Sequence, residues 1–252
     1  MLRFLLVLTA LIALVWFAAS QIPLGMVLNR LPLNAMGVEW TQSEGTIWDG
    51  RMSGVYLNGQ PVGDVDLALR PMSLLAFAPA LEVQWGGAGG RGAGVVTVRG
   101  EDRIEATDLR VEQQINALES LSNEVRSIGG IFRLSGGEVS IADGSCTAAS
   151  GNVQTDTLAR AAQQFGRTFS DLTGSISCEN GAFSIDLSGD SPAGDTVEIN
   201  AMATLYGRSD IDVVVNTEDD EIETLLARSG FSQSEGVWTY QYETAAVAGG
   251  RL

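Results

Sequence analysis

Hydrophobic and polar positions along this chain fall into two regimes. Residues 4–19 read FLLVLTALIALVWFAA, an uncharged and almost wholly apolar run. From residue 37 the chain becomes a succession of short alternating segments bounded by Gly, Asn and Asp, a pattern that predicts β-strands. Strands are expected at 37–42, 46–48, 51–57, 62–70, 81–85 and 95–99, with Asn58-Gly59 as a hairpin turn that needs positive φ at both central residues. Val65, Leu67 and Leu69 share one strand face and Asp64 and Asp66 the other, so this sheet has one wet side. Across 103–111 the alternation changes phase between Ala106 and Leu109, which predicts a β-bulge.

Ile115, Leu118, Leu121, Val125 and Ile128 then recur at spacings of three and four, and Gly129-Gly130 follows them. This predicts a helix over 112–128 joining two lobes, 29–111 and 129–252. Beyond it, strands are expected at 131–134 and 138–142, then a short helix near 156–165. Strands at 172–178 and 182–187 flank the turn Glu179-Asn180-Gly181, and 196–205 pairs with 210–216 around Tyr206-Gly207-Arg208. A small helix over 219–228 precedes a last strand, 237–242. The predicted class is mainly β with a few short helices, a β-rich α+β fold of antiparallel sheets behind one N-terminal transmembrane helix.

The apolar run sets the compartment. Apolarity continues past Gln21 through Leu28, giving roughly twenty spanning residues, with Arg3 on the short side and Trp16 near the far boundary. We read residues 1–28 as a retained anchor and 29–252 as a β-rich periplasmic domain. Ala18-Ala19-Ser20 also fits the cleavage site of a secretory signal peptide, and the length of the apolar run favours the anchor over it. Cys146 and Cys178 are the only cysteines. On the oxidising side of a membrane such a pair fits a disulfide closing a loop of about thirty residues, which would contribute about 3 to 4 kcal/mol in the chain-entropy model. Two buried free thiols are the alternative.

Composition narrows the chemistry. The 252 residues carry a formal charge of -16, a field that repels phosphate backbones, so nucleic acid is not an expected partner. There is no His, and all fifteen basic residues are Arg. That removes His-based nucleophile activation, imidazole metal ligands, the phosphate-binding Lys of nucleotide loops and Schiff-base chemistry. Two thiolates without His also make an incomplete zinc shell. Gly87-Ala88-Gly89-Gly90-Arg91-Gly92 matches G-x-G-x-x-G, but it leads into the strand pattern 93–98 rather than a helix N-terminus, so a hairpin loop is expected. Glu218, Asp219, Asp220, Glu221 and Glu223 fit a helix start capped by Thr217 better than a hard-cation site. Asp64 and Asp66 are read as solvated rather than as an acid and base pair. Trp238, Tyr240 and Tyr242 share a strand face, either covering the core or forming a pairing edge; the core is favoured. No catalytic, cofactor-binding or metal residues are assigned.

Several segments together resemble the type II secretion system protein N family (general secretion pathway protein N). Gly45-Thr46-Ile47-Trp48-Asp49-Gly50-Arg51 resembles its Gly-Thr-x-Trp-x-Gly signature, and Leu67-Ala68-Leu69-Arg70-Pro71-Met72-Ser73-Leu74-Leu75 its strand followed by Pro and a Leu pair. Cys146, Ala149, Gly151, Val153, Thr155-Asp156 and Leu158, then Leu172-Thr173-Gly174 leading to Cys178 and Gly181, resemble its cysteine pair in its setting. Asp66 departs from the pattern, where an aromatic is expected. The resemblance implies a non-enzymatic inner-membrane accessory protein, single-pass and mostly periplasmic, whose partners are other type II secretion components. It implies a structural or interaction role for Gly45, Thr46, Trp48, Gly50, Arg70, Pro71, Leu74 and Leu75, with Trp48 packed into the first lobe. The competing class is a membrane-tethered lipid-handling module with an apolar groove, similar to AsmA-like proteins; a third, a carboxylate-based hydrolase, would need two acids converging in a cleft.

Overall fold

The computed structural model describes residues 21–30, 37–57, 59–87, 89–100, 103–118, 123–205 and 208–244. The apolar run 4–19, and with it most of the expected anchor, lies outside the described residues. No helix among the described residues is long and apolar enough to cross a membrane.

In chain order the elements are α1 (Leu24–Leu28), β1 (Val38–Glu39), β2 (Gln42–Gly45), β3 (Gly50–Leu57), β4 (Gln60–Leu69), α2 (Pro71–Leu75), β5 (Ala80–Gly87), β6 (Gly90–Arg99) and β7 (Arg103–Gln114). There follow α3 (Asn123–Ile128), β8 (Ile131–Ala142), β9 (Ser145–Thr155), α4 (Thr157–Gln164), β10 (Leu172–Glu179), β11 (Ala182–Asp190), β12 (Thr196–Ala203), β13 (Ser209–Asn216), α5 (Asp220–Arg228), β14 (Ser232–Ser234) and β15 (Val237–Thr244). The described strands form one antiparallel sheet in which β3 to β13 follow one another in chain order, β15 and β14 close one side, and β1 and β2 both lie on β3. Short turns make this meander possible. At Asn180-Gly181, Asp143-Gly144 and Glu235-Gly236 both central residues have positive φ, the type I′ geometry whose twist matches that of the flanking strands.

The expected bulge is present: β7 and β8 shift register between Ala106 and Leu109, where Asp108 takes φ 54°. A second bulge, between Ser135 and Glu138 with Gly136 at φ 62°, bends β8 as one strand where the sequence suggested two. The glycine-rich segment 87–92 is the β5–β6 hairpin, with Gly87 opposite Gly90. Gly92 faces Trp85 across the ladder, and a Cβ there would run into the indole ring, so the last glycine of the motif is a seat for an aromatic rather than a phosphate contact.

Several expectations need correction. Residues 46–48 are a turn, not a strand: Thr46 N–H donates to the Asp49 carbonyl at 2.9 Å and closes the β2–β3 hairpin. Residues 22–28, assigned to the anchor, belong to the folded domain. Pro23 bridges to Thr46, and α1 buries Leu24 and Leu28 against Met52 and Val55 of β3. The helix expected over 112–128 is shorter, because 112–114 continue β7, 115–117 form a single 3₁₀ turn and α3 starts at Asn123; residues 119–122 lie outside the described ones. The sheet passes through this region without a break, β7 pairing β8 on both sides of the bulge. Two buried clusters nonetheless sit at opposite ends of the strand order, one around α1 and β3, the other around Leu172, Val197, Val215 and Trp238.

Candidate functional site: an apolar groove and the motif residues

The connections β7–β8, β9–β10 and β13–β14 leave the same end of the sheet and carry α3, α4 and α5. Each helix must bury an apolar stripe, and the sheet beneath them offers Leu172, Val197 and Val215. Their side chains do not fill the space. Between the helices and the sheet lies a groove of about 810 Å³ whose lining includes Val125 and Ile128 of α3, Leu158 of α4, Leu225 of α5, and Phe132 and Phe169.

Polar groups hold its walls. Asp219 caps α5, accepting from the N–H groups of Glu221 at 2.9 Å and Ile222 at 3.1 Å, so the cap is Asp219 rather than the expected Thr217. Thr217 instead donates to the buried Asp195 at 2.7 Å, and Ser191 donates to its other oxygen at 2.6 Å. Arg167 reaches across the rim to both oxygens of Asp219, at 2.6 and 3.0 Å, and to Glu221 at 2.8 Å. Two of the acids considered for a cation are thus engaged by a guanidinium. Asp156 ties α4 to β8: it accepts from Ile131 N–H at 2.6 Å and from Arg160 at 2.7 Å. Burial works to raise its carboxyl, but Arg160 and the Ile131 N–H outweigh that and hold it below the ordinary 3.8.

The Arg167 contact, with help from the two backbone N–H groups, likewise holds the Asp219 carboxyl below 3.8. A carboxyl depressed on folding contributes stability that is present above its unfolded value and lost as pH falls through the folded value. We expect Arg167→Met to return Asp219 toward 3.8, so that its titration, followed by carboxyl ¹³C shifts, moves to higher pH. A titration unchanged by the substitution would show that the cap, not the arginine, sets this value.

Asp64 and Asp66 are both ion-paired to one arginine. Both face Arg51, at 2.8 and 3.4 Å, and the Arg51 hydrogen bond, followed by the Gly54 N–H, holds the Asp64 carboxyl below its ordinary range. Trp238 is buried in the second cluster, whereas Tyr242 is half exposed.

The motif residues lie at the other end of the sheet from the groove. Gly45 takes φ 78°, and a Cβ there would collide with the Asp49 carbonyl; at Gly50 it would lie 2.7 Å from Leu24 Cδ2. Thr46 Oγ1 accepts from the N–H of Trp48 at 3.3 Å, and Trp48 is half-buried in the turn rather than in the nearby cluster. Ile47 N–H donates to the Ile22 carbonyl at 3.2 Å and its own carbonyl accepts from Leu69 N–H at 3.1 Å. This turn therefore fastens the N-terminal segment to the end of β4. Arg70 pairs with Glu82 at 2.7 Å, Pro71 opens α2, and Leu74 and Leu75 point into solvent. Cys146 and Cys178 are joined in a disulfide with a Cα–Cα distance of 5.7 Å.

The family model of the type II secretion system (T2SS), protein N, matches residues 36–240, which covers the turn motif, both cysteines and the groove. The chain belongs to this family. It is accordingly a component of the type II secretion system that works with other components of that system. No curated protein and no solved structure matches the chain.

The groove was not visible in the sequence. Its lining comes from four connections and five strands far apart in the chain, and the helical patterns at 115–128, 156–165 and 219–228 hinted at its walls alone.

Proposed function

We propose that this chain is a non-enzymatic, membrane-tethered periplasmic binding module of the type II secretion system. Family membership over 36–240 carries the reading. An anchor over the apolar N-terminal run places the sheet on the oxidising side, which agrees with the Cys146–Cys178 disulfide. The groove supplies a binding surface that needs no catalytic group: it is apolar, rimmed by the Arg167, Asp219 and Glu221 charges, and of a size for an amphipathic helix or a few large side chains of another component. A second reading, lipid handling, rests on the same groove, since an acyl chain also fits an apolar slot of this volume.

A deletion strain complemented by variants separates them. Exoproteins accumulating in the periplasm with normal outer-membrane permeability support the secretion role. Normal secretion with altered lipid composition or detergent sensitivity overturns it in favour of lipid handling. Leu225→Glu places a charge at a partly exposed position of the groove, 37% accessible and outside the buried cluster beneath it. We expect this variant to be expressed and folded yet to fail to restore secretion; full restoration would remove the groove from the binding surface.

A further inference from the structure

We propose that the β4–β5 connection is an apolar knob that inserts into the membrane interface beside the N-terminal anchor. This rests on the anchored topology proposed above.

Four observations carry it. First, residues 71–81 contain no charge in a chain with thirty-one acidic and fifteen basic residues. Second, their large side chains face solvent: Phe77 is 94% exposed, Met72 76% and Leu75 75%. Monomeric soluble surfaces seldom cluster such residues, and a cluster of this kind marks a contact site. Third, the knob is held in shape rather than loose. Ser73 Oγ donates to the Arg70 carbonyl at 2.6 Å and accepts from Ala80 N–H at 2.9 Å, while Ala78 N–H donates to the Ser73 carbonyl at 3.2 Å. Phe77 takes φ 53°, a left-handed conformation unfavourable for a bulky residue, and the turn holds it there with its ring in solvent.

Fourth, the place is decisive. Two backbone hydrogen bonds in series, Ile47 N–H to Ile22 and Leu69 N–H to Ile47, put the foot of the knob about two strand spacings, roughly 10 Å, from the point where the N-terminal segment joins the sheet. Only Gln21 and Ser20 separate Ile22 from the apolar run, so an anchored domain meets the bilayer with no linker, at the end where Phe77 projects. An acidic domain is not drawn to anionic lipid by charge, which leaves apolar side chains in the interface as the means of seating it. The Arg70–Glu82 pair at the foot of the knob stays at the level of water and headgroups. The occupant of this patch is lipid, and the effect is to fix the tilt of the sheet relative to the membrane.

The test uses the full chain reconstituted in vesicles of phosphatidylethanolamine and phosphatidylglycerol. A nitroxide is attached at Ala76→Cys, which keeps all the apolar side chains, with the native cysteines left in their disulfide. Collision with oxygen is compared with collision with a water-soluble nickel chelate. We expect the oxygen-to-nickel ratio at position 76 to exceed several-fold that of a label at the exposed Ser234→Cys. Adding Leu75→Asp and Phe77→Asp should bring the ratio down to the Ser234 level while circular dichroism stays unchanged. A label at Ala13→Cys reports the anchor separately. Lipid at 13 with water at 76, or with position 76 shielded from both reagents as in a protein contact, overturns the knob alone. Water at 13 overturns the anchored topology and the knob with it.

Discussion

Replacing both Cys146 and Cys178 by serine is expected to lower the stability of the chain by about 2 to 5 kcal/mol. The reason lies in how β9 and β10 are joined. Their ladder pairs only Leu172, Thr173, Gly174 and Ser175 with Thr155, Gln154, Val153 and Asn152. Beyond Ser175, β10 continues to pair with β11 but not with β9. The disulfide and the Cys146 N–H, which donates to the Gly181 carbonyl at 3.0 Å, hold the far ends of the two strands together. Every strand from β1 to β9 connects to the rest of the sheet across this seam. Without the disulfide, we expect faster amide exchange in 146–151 and 176–179, with the amides of β4 to β6 little changed. Urea unfolding and hydrogen exchange by mass spectrometry check both parts. A loss spread evenly over the sheet would mean that the bond acts on the unfolded chain alone.

Trp238→Ala is expected to cost about 3 to 5 kcal/mol, the usual range for emptying a buried indole site. Trp238 is 7% exposed and lies with Leu172, Val197 and Val215 at the base of the groove-bearing half, directly opposite Val215 in the β13–β15 ladder. Its indole N–H has no hydrogen-bond acceptor among the described residues. A buried unpaired donor is itself a penalty, so Trp238→Phe removes a cost while keeping most of the ring. We expect the phenylalanine variant to lose at most about half as much as the alanine variant. Equal losses in thermal or urea unfolding would show that the N–H is satisfied in solution.

These two sites lie in the part of the molecule that carries the groove, so secretion assays on their variants must be read together with stability. The Leu225→Glu variant and the knob variants alter exposed positions and leave both buried clusters intact. That difference separates a lost contact from a lost fold.

Local rules reached far into this fold. The turn at Asn180-Gly181, the hairpin at 87–92, the bulge between Ala106 and Leu109 and the acidic start of α5 were each legible, because each depends on residues within about four positions of one another. The Gly45 to Gly50 motif was visible too, but the same six residues fit a short strand as well as a turn; the Thr46 to Asp49 hydrogen bond decided for the turn. β9 was missed altogether. Ser145–Thr155 holds mostly Ser, Thr, Ala, Gly, Asn and Gln, so it shows no apolar alternation, and its place is secured by β8 on one side and by the disulfide and β10 on the other. Residues 22–28 misled for the opposite reason: Leu24 and Leu28 are as apolar as an anchor, and only Met52 and Val55, brought beside them by β3, make them core. Composition, strand character and turn chemistry are properties of neighbours in the chain, and the sequence by itself determined them. The single continuous sheet, the seam at β9 and β10, the groove under three helices and the placing of the Phe77 knob beside the N-terminal segment depend on contacts between distant residues. Tertiary structure decided those, because each is settled by which apolar surfaces find one another once the strands have paired.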